Sequence, residues 1–120
     1  LKSSLVELCI AAIDDDLDNH KIEWTKQHAC GVVIASEGYP ENYKKNNEVT
    51  IKVIDLDGVK LFHAGTKLYQ NKIFTSGGRV FCATALGNNL REAQQKAYSL
   101  VESVEFNGAF CRKDIGDKGI

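Results

Sequence analysis

A strand followed directly by a helix, over residues 79 to 104, constrains the fold of this chain most strongly. One face of the predicted strand 79–86 holds Val80, Cys82, Thr84 and Leu86. Gly87 ends the strand, and Asn89 then offers a helix-capping side chain with Glu92 three residues later. The following apolar positions keep helical spacing: Leu90, Ala93, Ala97, Leu100, Val101 and Val104. The sequence therefore predicts a strand and then an amphipathic helix that continues to residue 104.

The rest of the chain predicts a second helix and several short strands. Residues 4–13 show helical spacing, with Ser3 or Ser4 as the cap and Glu7 in the first turn. Strands are predicted over 21–24, 31–35, 49–54, 59–63 and 109–111, and a hairpin joins 67–69 to 72–75. A polar loop of about 13 residues, 36–48, separates two of these strands. The order of elements indicates an α+β fold, an antiparallel β-sheet with flanking helices.

Length and charge exclude several classes of protein. The 120 residues suffice for one domain, and no apolar run approaches the ~20 residues of a membrane span. Fifteen basic and sixteen acidic residues give a net charge of -1, so no nucleic acid and no anionic membrane is expected as a partner. The chain contains no Met, so Leu1 is not expected to be a translation start. We expect a piece of a longer protein, or a processed chain.

The cysteines and acidic residues predict no metal site. Cys9, Cys30, Cys82 and Cys111 form no Cys-x-x-Cys pair, which leaves a structural zinc site without support. We expect buried free thiols in a reducing cytoplasm, although two disulfides are possible by count. The acidic run 14–16 lacks the glycine and closing glutamate of a calcium-binding hand, so we interpret it as a solvated turn.

Three short segments are candidates for ligand binding. In the run 75–79 the paired glycines Gly77 and Gly78 allow backbone N–H groups to converge on an anion, and Arg79 adds a guanidinium that matches phosphate. Lys72 precedes this bend, and a plain tight turn is the alternative. The second segment holds His63 and Thr66, which could face a ligand or be structural. The third is the loop 36–40, in which Gly-Tyr-Pro could aim Tyr39 at a ligand or simply pack on the surface. No catalytic residue is predicted, because no hydrolase motif or paired-carboxylate arrangement is present.

Seven stretches, spread over essentially the whole chain, carry a resemblance to a known family: residues 1–8, 35–40, 62–66, 76–80, 84–87, 93–98 and 112–116. In their order and spacing they resemble the glycinamide ribonucleotide synthetases, which are ATP-grasp ligases of purine biosynthesis. The resemblance implies the C-terminal portion of a protein several times longer. It also implies a division into residues 1–20, a helix remnant of the ATP-grasp core, and residues 21–120, a C-terminal α+β domain.

The resemblance implies a reaction with ATP, Mg²⁺, glycine and 5-phosphoribosylamine. ATP phosphorylates the glycine carboxylate, and the amine of phosphoribosylamine attacks it, giving glycinamide ribonucleotide, ADP and phosphate. In this family the metal-binding Glu and Asn precede the stretch that Leu1 begins, and the nucleotide-binding lid and N-terminal domain lie further upstream. This chain alone is therefore expected to lack ATP, metal and turnover, and to need the missing N-terminal portion as its partner.

For this chain the resemblance implies one wall of the substrate site. Arg79, with Gly77 and Gly78, is the first candidate for the phosphate of phosphoribosylamine; His63 and Thr66 are second, and Lys72 is third. Two other functions remain open: a self-standing α+β module that binds a phosphorylated metabolite, and a purely structural domain that completes a sheet in a larger protein.

Overall fold

A computed structural model describes all residues 1–120 as two small antiparallel sheets, a helix packed on the first sheet, and an N-terminal helix. The first sheet has the strand order β3 (Val59–His63), β6 (Arg79–Gly87), β1 (His28–Ser36), β8 (Ala109–Phe110). The second has the order β4 (Thr66–Tyr69), β5 (Lys72–Thr75), β2 (Glu48–Ile51), β7 (Val104–Glu105). The helices are α1 (Leu5–Ile13) and α2 (Leu90–Glu102), with 3₁₀ turns at Leu17–Asn19 and Asp117–Gly119. The predicted α+β class is confirmed.

Helix α2 approaches the first sheet closely because small residues line the contact. Ala93 and Ala97 of the helix are fully buried against Cys30, Val32 and Ala85 of the sheet. A second cluster joins the two sheets and consists of Ile34, Val49, Val80, Phe81 and Val104. Of the predicted face, Val80 is buried in this second cluster, whereas Cys82, Thr84 and Leu86 are half-buried. Helix α2 packs on Ala85, on the other face of β6.

The first turn of α2 is capped as the sequence predicts. The Asn89 side chain accepts from the Glu92 N–H at 2.9 Å, and the Glu92 carboxylate accepts from the Asn88 N–H at 2.9 Å. Lys96 lies 2.8 Å from the same carboxylate, and its hydrogen bond is the main cause that lowers the pKa of Glu92. The helix ends at Glu102 rather than 104, because Ser103 caps it and Val104 begins β7.

Helix α1 projects from the body of the domain. Its N-cap is Ser4, but Ala11 is its only buried residue, and Ile13 is 83% exposed. Its main contact with another element is with the following 3₁₀ turn. The radius of gyration is 17.0 Å, compared with about 14 Å for a compact chain of this length. Neither helix has the length and hydropathy that crossing a membrane requires.

Three local predictions are wrong. Residues 21–24 form no strand, because their backbone groups bind the segment Lys2–Ser3 instead of a sheet. The strand predicted over 49–54 ends at Ile51. Among the cysteines only Cys30 is buried, and burial is the main cause that raises the pKa of its thiol. All four thiols are free, and Cys9 is exposed on helix α1, of which only Ala11 is buried.

Candidate functional site

Two glycine-containing segments cross in direct backbone contact beside the start of β6. The Gly65 carbonyl accepts from the Ser76 N–H at 2.7 Å and from the Gly77 N–H at 3.2 Å, while the Gly65 N–H donates to the Arg79 carbonyl at 2.8 Å. A Cβ on Gly65 would lie only 2.7 Å from the Cα of Gly77. We call this contact the Gly65–Gly77 crossing. It requires glycine because backbone atoms fill the space that a side chain would take.

The loop after β1 closes over the same bend. The Ser36 N–H donates to the Gly78 carbonyl at 2.8 Å, and the buried Ser36 hydroxyl lies 3.5 Å from the Gly77 carbonyl oxygen. The Tyr39 ring covers Gly78, where a Cβ would lie 2.1 Å from Tyr39 Cδ2. The loop 36–40, the third candidate segment, is therefore packed onto the first.

The paired glycines bend the chain but offer few free donors. Two neighbouring N–H groups, of Ser76 and Gly77, do converge on one point, yet the oxygen at that point is the carbonyl of Gly65. Gly78 is buried beneath Tyr39. The chain's own carbonyl thus occupies the point on which these two N–H groups converge, and the bend that the glycines form leads directly into Arg79.

Arg79, His63 and Thr66 lie at the strand ends beside the crossing. Arg79 is exposed, and no carboxylate lies within ion-pair distance of its guanidinium. His63 Nδ1 lies 3.0 Å from the Thr66 hydroxyl, and the imidazole packs against the Phe81 ring with centroids 4.9 Å apart. This arrangement combines a permanent cation, an imidazole and a hydroxyl at one end of the first sheet.

Lys72, by contrast, lies away from this group. It is at the tip of the β4–β5 hairpin, three rungs from the Thr66–Thr75 pair, which corresponds to about 10 Å along the strand. Its ammonium lies 2.9 Å from Glu48. The backbone of Arg79 and of both glycines therefore lies beside the segment that carries His63 and Thr66, whereas Lys72 is in a separate ion pair.

A polar cavity adjoins the end of β1 at Ser36, and the sequence predicts only part of its lining. Its volume is about 240 Å³, and it lies between the loop after β1 and the turn at 107–108. The loop 36–40 was a candidate, but Asn42, Lys44, Asn47 and Asn107 were missed. They line one cavity although up to 65 residues of sequence separate them, which no local pattern indicates; the only signal was the density of Asn and Gly in both turns.

Comparison with known protein families shows to which family this chain belongs. The family model described as "Phosphoribosylglycinamide synthetase, C domain" matches residues 29–118. The chain belongs to this family. The resemblance of the seven sequence stretches to glycinamide ribonucleotide synthetases is thereby confirmed.

Relatives of the phosphoribosylglycinamide synthetase C-domain family align with every residue of the chain. A protein named phosphoribosylamine–glycine ligase from Vibrio vulnificus is 46% identical over 121 residues, and one of the same name from Escherichia coli is 44% identical over 122 residues. Each alignment covers 100% of this chain and 28% of the relative. A crystal structure of phosphoribosylamine–glycine ligase from Thermotoga maritima matches with a TM-score of 0.72 and 33% identity, over 91% of this chain and 27% of that one. The chain thus spans just over a quarter of the length of these relatives.

The described residues contain no group of three or more His, Cys, Asp or Glu side chains that could hold a metal ion. A Mg²⁺ ion prefers several oxygen ligands in octahedral geometry, with carboxylates among them. The side chains of this synthetase C domain therefore offer no such set of ligands.

Proposed function

We propose that this chain acts as the C-terminal domain of a phosphoribosylamine–glycine ligase and forms one wall of the site for phosphoribosylamine. The observation that carries the proposal is the alignment of all 120 residues with relatives of that name, at 44–46% identity. The activity is the ATP-dependent ligation of glycine to phosphoribosylamine. The ATP and Mg²⁺ that this chemistry uses belong, in the proposal, to the rest of the longer protein.

Within that activity, Arg79 binds the phosphate of phosphoribosylamine. A guanidinium is always charged and offers two parallel N–H donors to a phosphate. Because Arg79 has no carboxylate partner, its donors are available to a ligand without breaking an ion pair. Gly77 and Gly78 position it through the crossing. The hydrogen bond between His63 and Thr66 restrains both side chains at the same edge, where they contact the sugar. Lys72 remains the third candidate for the phosphate, because its ammonium is already paired with Glu48.

The proposed activity is tested with the longer protein that contains this chain. We expect product only when ATP, Mg²⁺, glycine and phosphoribosylamine are all present, measured as coupled ADP release. The 120-residue chain alone serves as the control and should show neither turnover nor calorimetric binding of ATP with Mg²⁺. Micromolar ATP affinity of the chain alone would contradict the assignment of ATP binding to the rest of the longer protein. A longer protein that binds the sugar phosphate but never turns over would favour the non-catalytic binding module.

We further propose that the apolar face of α1 docks on the part of the longer protein that this chain lacks. Leu5, Val6, Ile10 and Ile13 are between 53% and 83% exposed, although they share one helix. A soluble domain rarely leaves so large an apolar surface uncovered. The relatives extend over more than three times the aligned length, and the family match begins at residue 29, after this helix. Both facts support α1 as part of the neighbouring domain.

The variant Ile13→Glu compares helix α1 in the 120-residue chain with the same helix in the longer protein. In the 120-residue chain we expect a change within about 0.5 kcal/mol in the free energy of unfolding, because the side chain is already exposed. In the longer protein we expect a loss of roughly 2–3 kcal/mol, since a buried isoleucine contributes about that much. Urea unfolding of both proteins measures the difference. Val53→Glu, at an exposed apolar residue outside α1, is the matched control. Equal losses for both variants would argue against docking through α1.

A further inference from the structure

The cavity beside Ser36 is lined entirely by polar residues and glycines. No apolar side chain contributes to its wall, and its volume of about 240 Å³ is below the roughly 300–1,000 Å³ of sites for drug-sized molecules. We call it the amide cavity. Its side chains come from Ser36, Glu37, Asn42, Lys44, Asn47 and Asn107.

The carboxamides and the charged side chains of the amide cavity have no hydrogen-bond or ion-pair partner within the protein. None of the carboxamides of Asn42, Asn47 and Asn107 takes part in a side-chain hydrogen bond. Glu37 and Lys44 form no ion pair, whereas the chain has six ion pairs elsewhere. Three carboxamides, one carboxylate and one ammonium group therefore belong to residues that line one cavity, and none of these groups has a partner within the protein.

Backbone contacts hold the two walls of the amide cavity in place. Gly38 and Gly108 have φ values of +86° and +76°, which glycine adopts without strain. A Cβ on Gly38 would lie 1.9 Å from the Asn42 carbonyl oxygen, and the Glu37 N–H donates to the Gly108 carbonyl at 2.7 Å. The cavity is thus built by tight turns that exclude larger residues and does not depend on a ligand for its shape.

The chemistry of these groups matches adjacent hydroxyls. A hydroxyl both donates and accepts, as does a carboxamide, and a carboxylate accepts from two neighbouring hydroxyls at once. A planar base or an alkyl chain would find no apolar wall here. Ser36 belongs to the cavity and also donates through its N–H to the Gly78 carbonyl, next to Arg79. Backbone hydrogen bonding thus connects the cavity to the strand end that carries Arg79, and the two sets of residues are assigned below to the two ends of one molecule.

We infer that the amide cavity binds the vicinal hydroxyls of a sugar phosphate whose phosphate lies on Arg79. The inference rests on the proposed function and assigns a second, separate part of the ligand to a second set of residues. It distinguishes a ribosyl phosphate from a deoxyribosyl phosphate, because the latter lacks one of the two hydroxyls.

The test is calorimetric titration of the longer protein with ribose 5-phosphate, 2-deoxyribose 5-phosphate and inorganic phosphate. We expect ribose 5-phosphate to bind about tenfold more tightly than the deoxy compound. A tenfold difference corresponds to about 1.4 kcal/mol, which is what one hydrogen bond contributes. The double variant Asn42→Ala/Asn107→Ala should abolish that preference and leave inorganic phosphate unaffected. Gln95→Ala, at an exposed carboxamide on α2, is the matched control. Thermal melts of each variant verify that it is folded.

The outcomes separate this inference from the proposed function. Equal affinity for the two sugar phosphates, or no binding of ribose 5-phosphate, overturns the amide cavity as a hydroxyl site whatever Arg79→Ala does. If Arg79→Ala leaves ribose 5-phosphate affinity intact while the asparagine variant weakens it, the cavity stands and the phosphate assignment falls. If Arg79→Ala weakens all three ligands and the asparagine variant removes only the ribose preference, both stand.

Discussion

Arg79→Ala in the longer protein is expected to raise the KM for phosphoribosylamine about 10- to 150-fold and to leave the KM for ATP within about twofold. The range corresponds to the roughly 1.5–3 kcal/mol that a hydrogen bond to a charged group contributes. The guanidinium is exposed and has no carboxylate partner, so removing it leaves no buried charge behind. Steady-state kinetics with each substrate varied in turn measures the effect.

Two further variants show whether the effect comes from the phosphate contact. Arg79→Lys keeps the charge but loses the planar pair of donors, so we expect it to recover part of the affinity. Arg91→Ala removes another exposed arginine without an ion pair, on α2, and should behave as the unmodified protein. A parallel rise in KM for ATP and phosphoribosylamine with Arg79→Ala would argue that the residue supports the domain rather than the ligand.

Local sequence signals predicted most of the secondary structure because their causes are local. The capping of α2 by Asn89, the β4–β5 hairpin around Gln70–Asn71 and the strand 59–63 each depend on residues within a few positions of one another. The failure at 21–24 has the opposite cause. That segment alternates like a strand, but the segment 2–3 reaches its backbone groups instead of a sheet.

The arrangement of the candidate site was less accessible to sequence because it depends on long-range contacts. The pattern Gly77–Gly78 indicated a bend with converging N–H groups, and such a convergence exists. The acceptor, however, is Gly65, twelve residues earlier, and no local rule names it. The amide cavity joins Asn42 to Asn107 in the same way. Residue type suggested which side chains suit a phosphate, while only the fold shows that Lys72 is apart from Arg79.

Gly65→Ala is expected to lower the free energy of unfolding by about 2–4 kcal/mol. A Cβ there would lie 2.6 Å from the Arg79 carbonyl oxygen, 2.7 Å from Gly77 Cα and 2.8 Å from Gly77 N, so every atom that it meets belongs to the backbone. No side chain can rotate away, and the two segments must separate. Overpacking of this kind costs about 1–3 kcal/mol, and weakened hydrogen bonds at the crossing add about 1 kcal/mol. Urea unfolding of the 120-residue chain measures the loss.

The contrast with Gly31→Ala isolates the crossing from the general effect of replacing a glycine. At Gly31 the added Cβ would meet only side-chain atoms, the nearest being Cys82 Sγ at 3.3 Å, so we expect a change within about 1 kcal/mol. Because the Gly65 N–H holds the Arg79 carbonyl, separating the segments also displaces the guanidinium. Gly65→Ala should therefore weaken sugar phosphate binding in the longer protein under conditions where it remains folded. A destabilised variant with unchanged binding would mean that the crossing supports the fold without positioning Arg79.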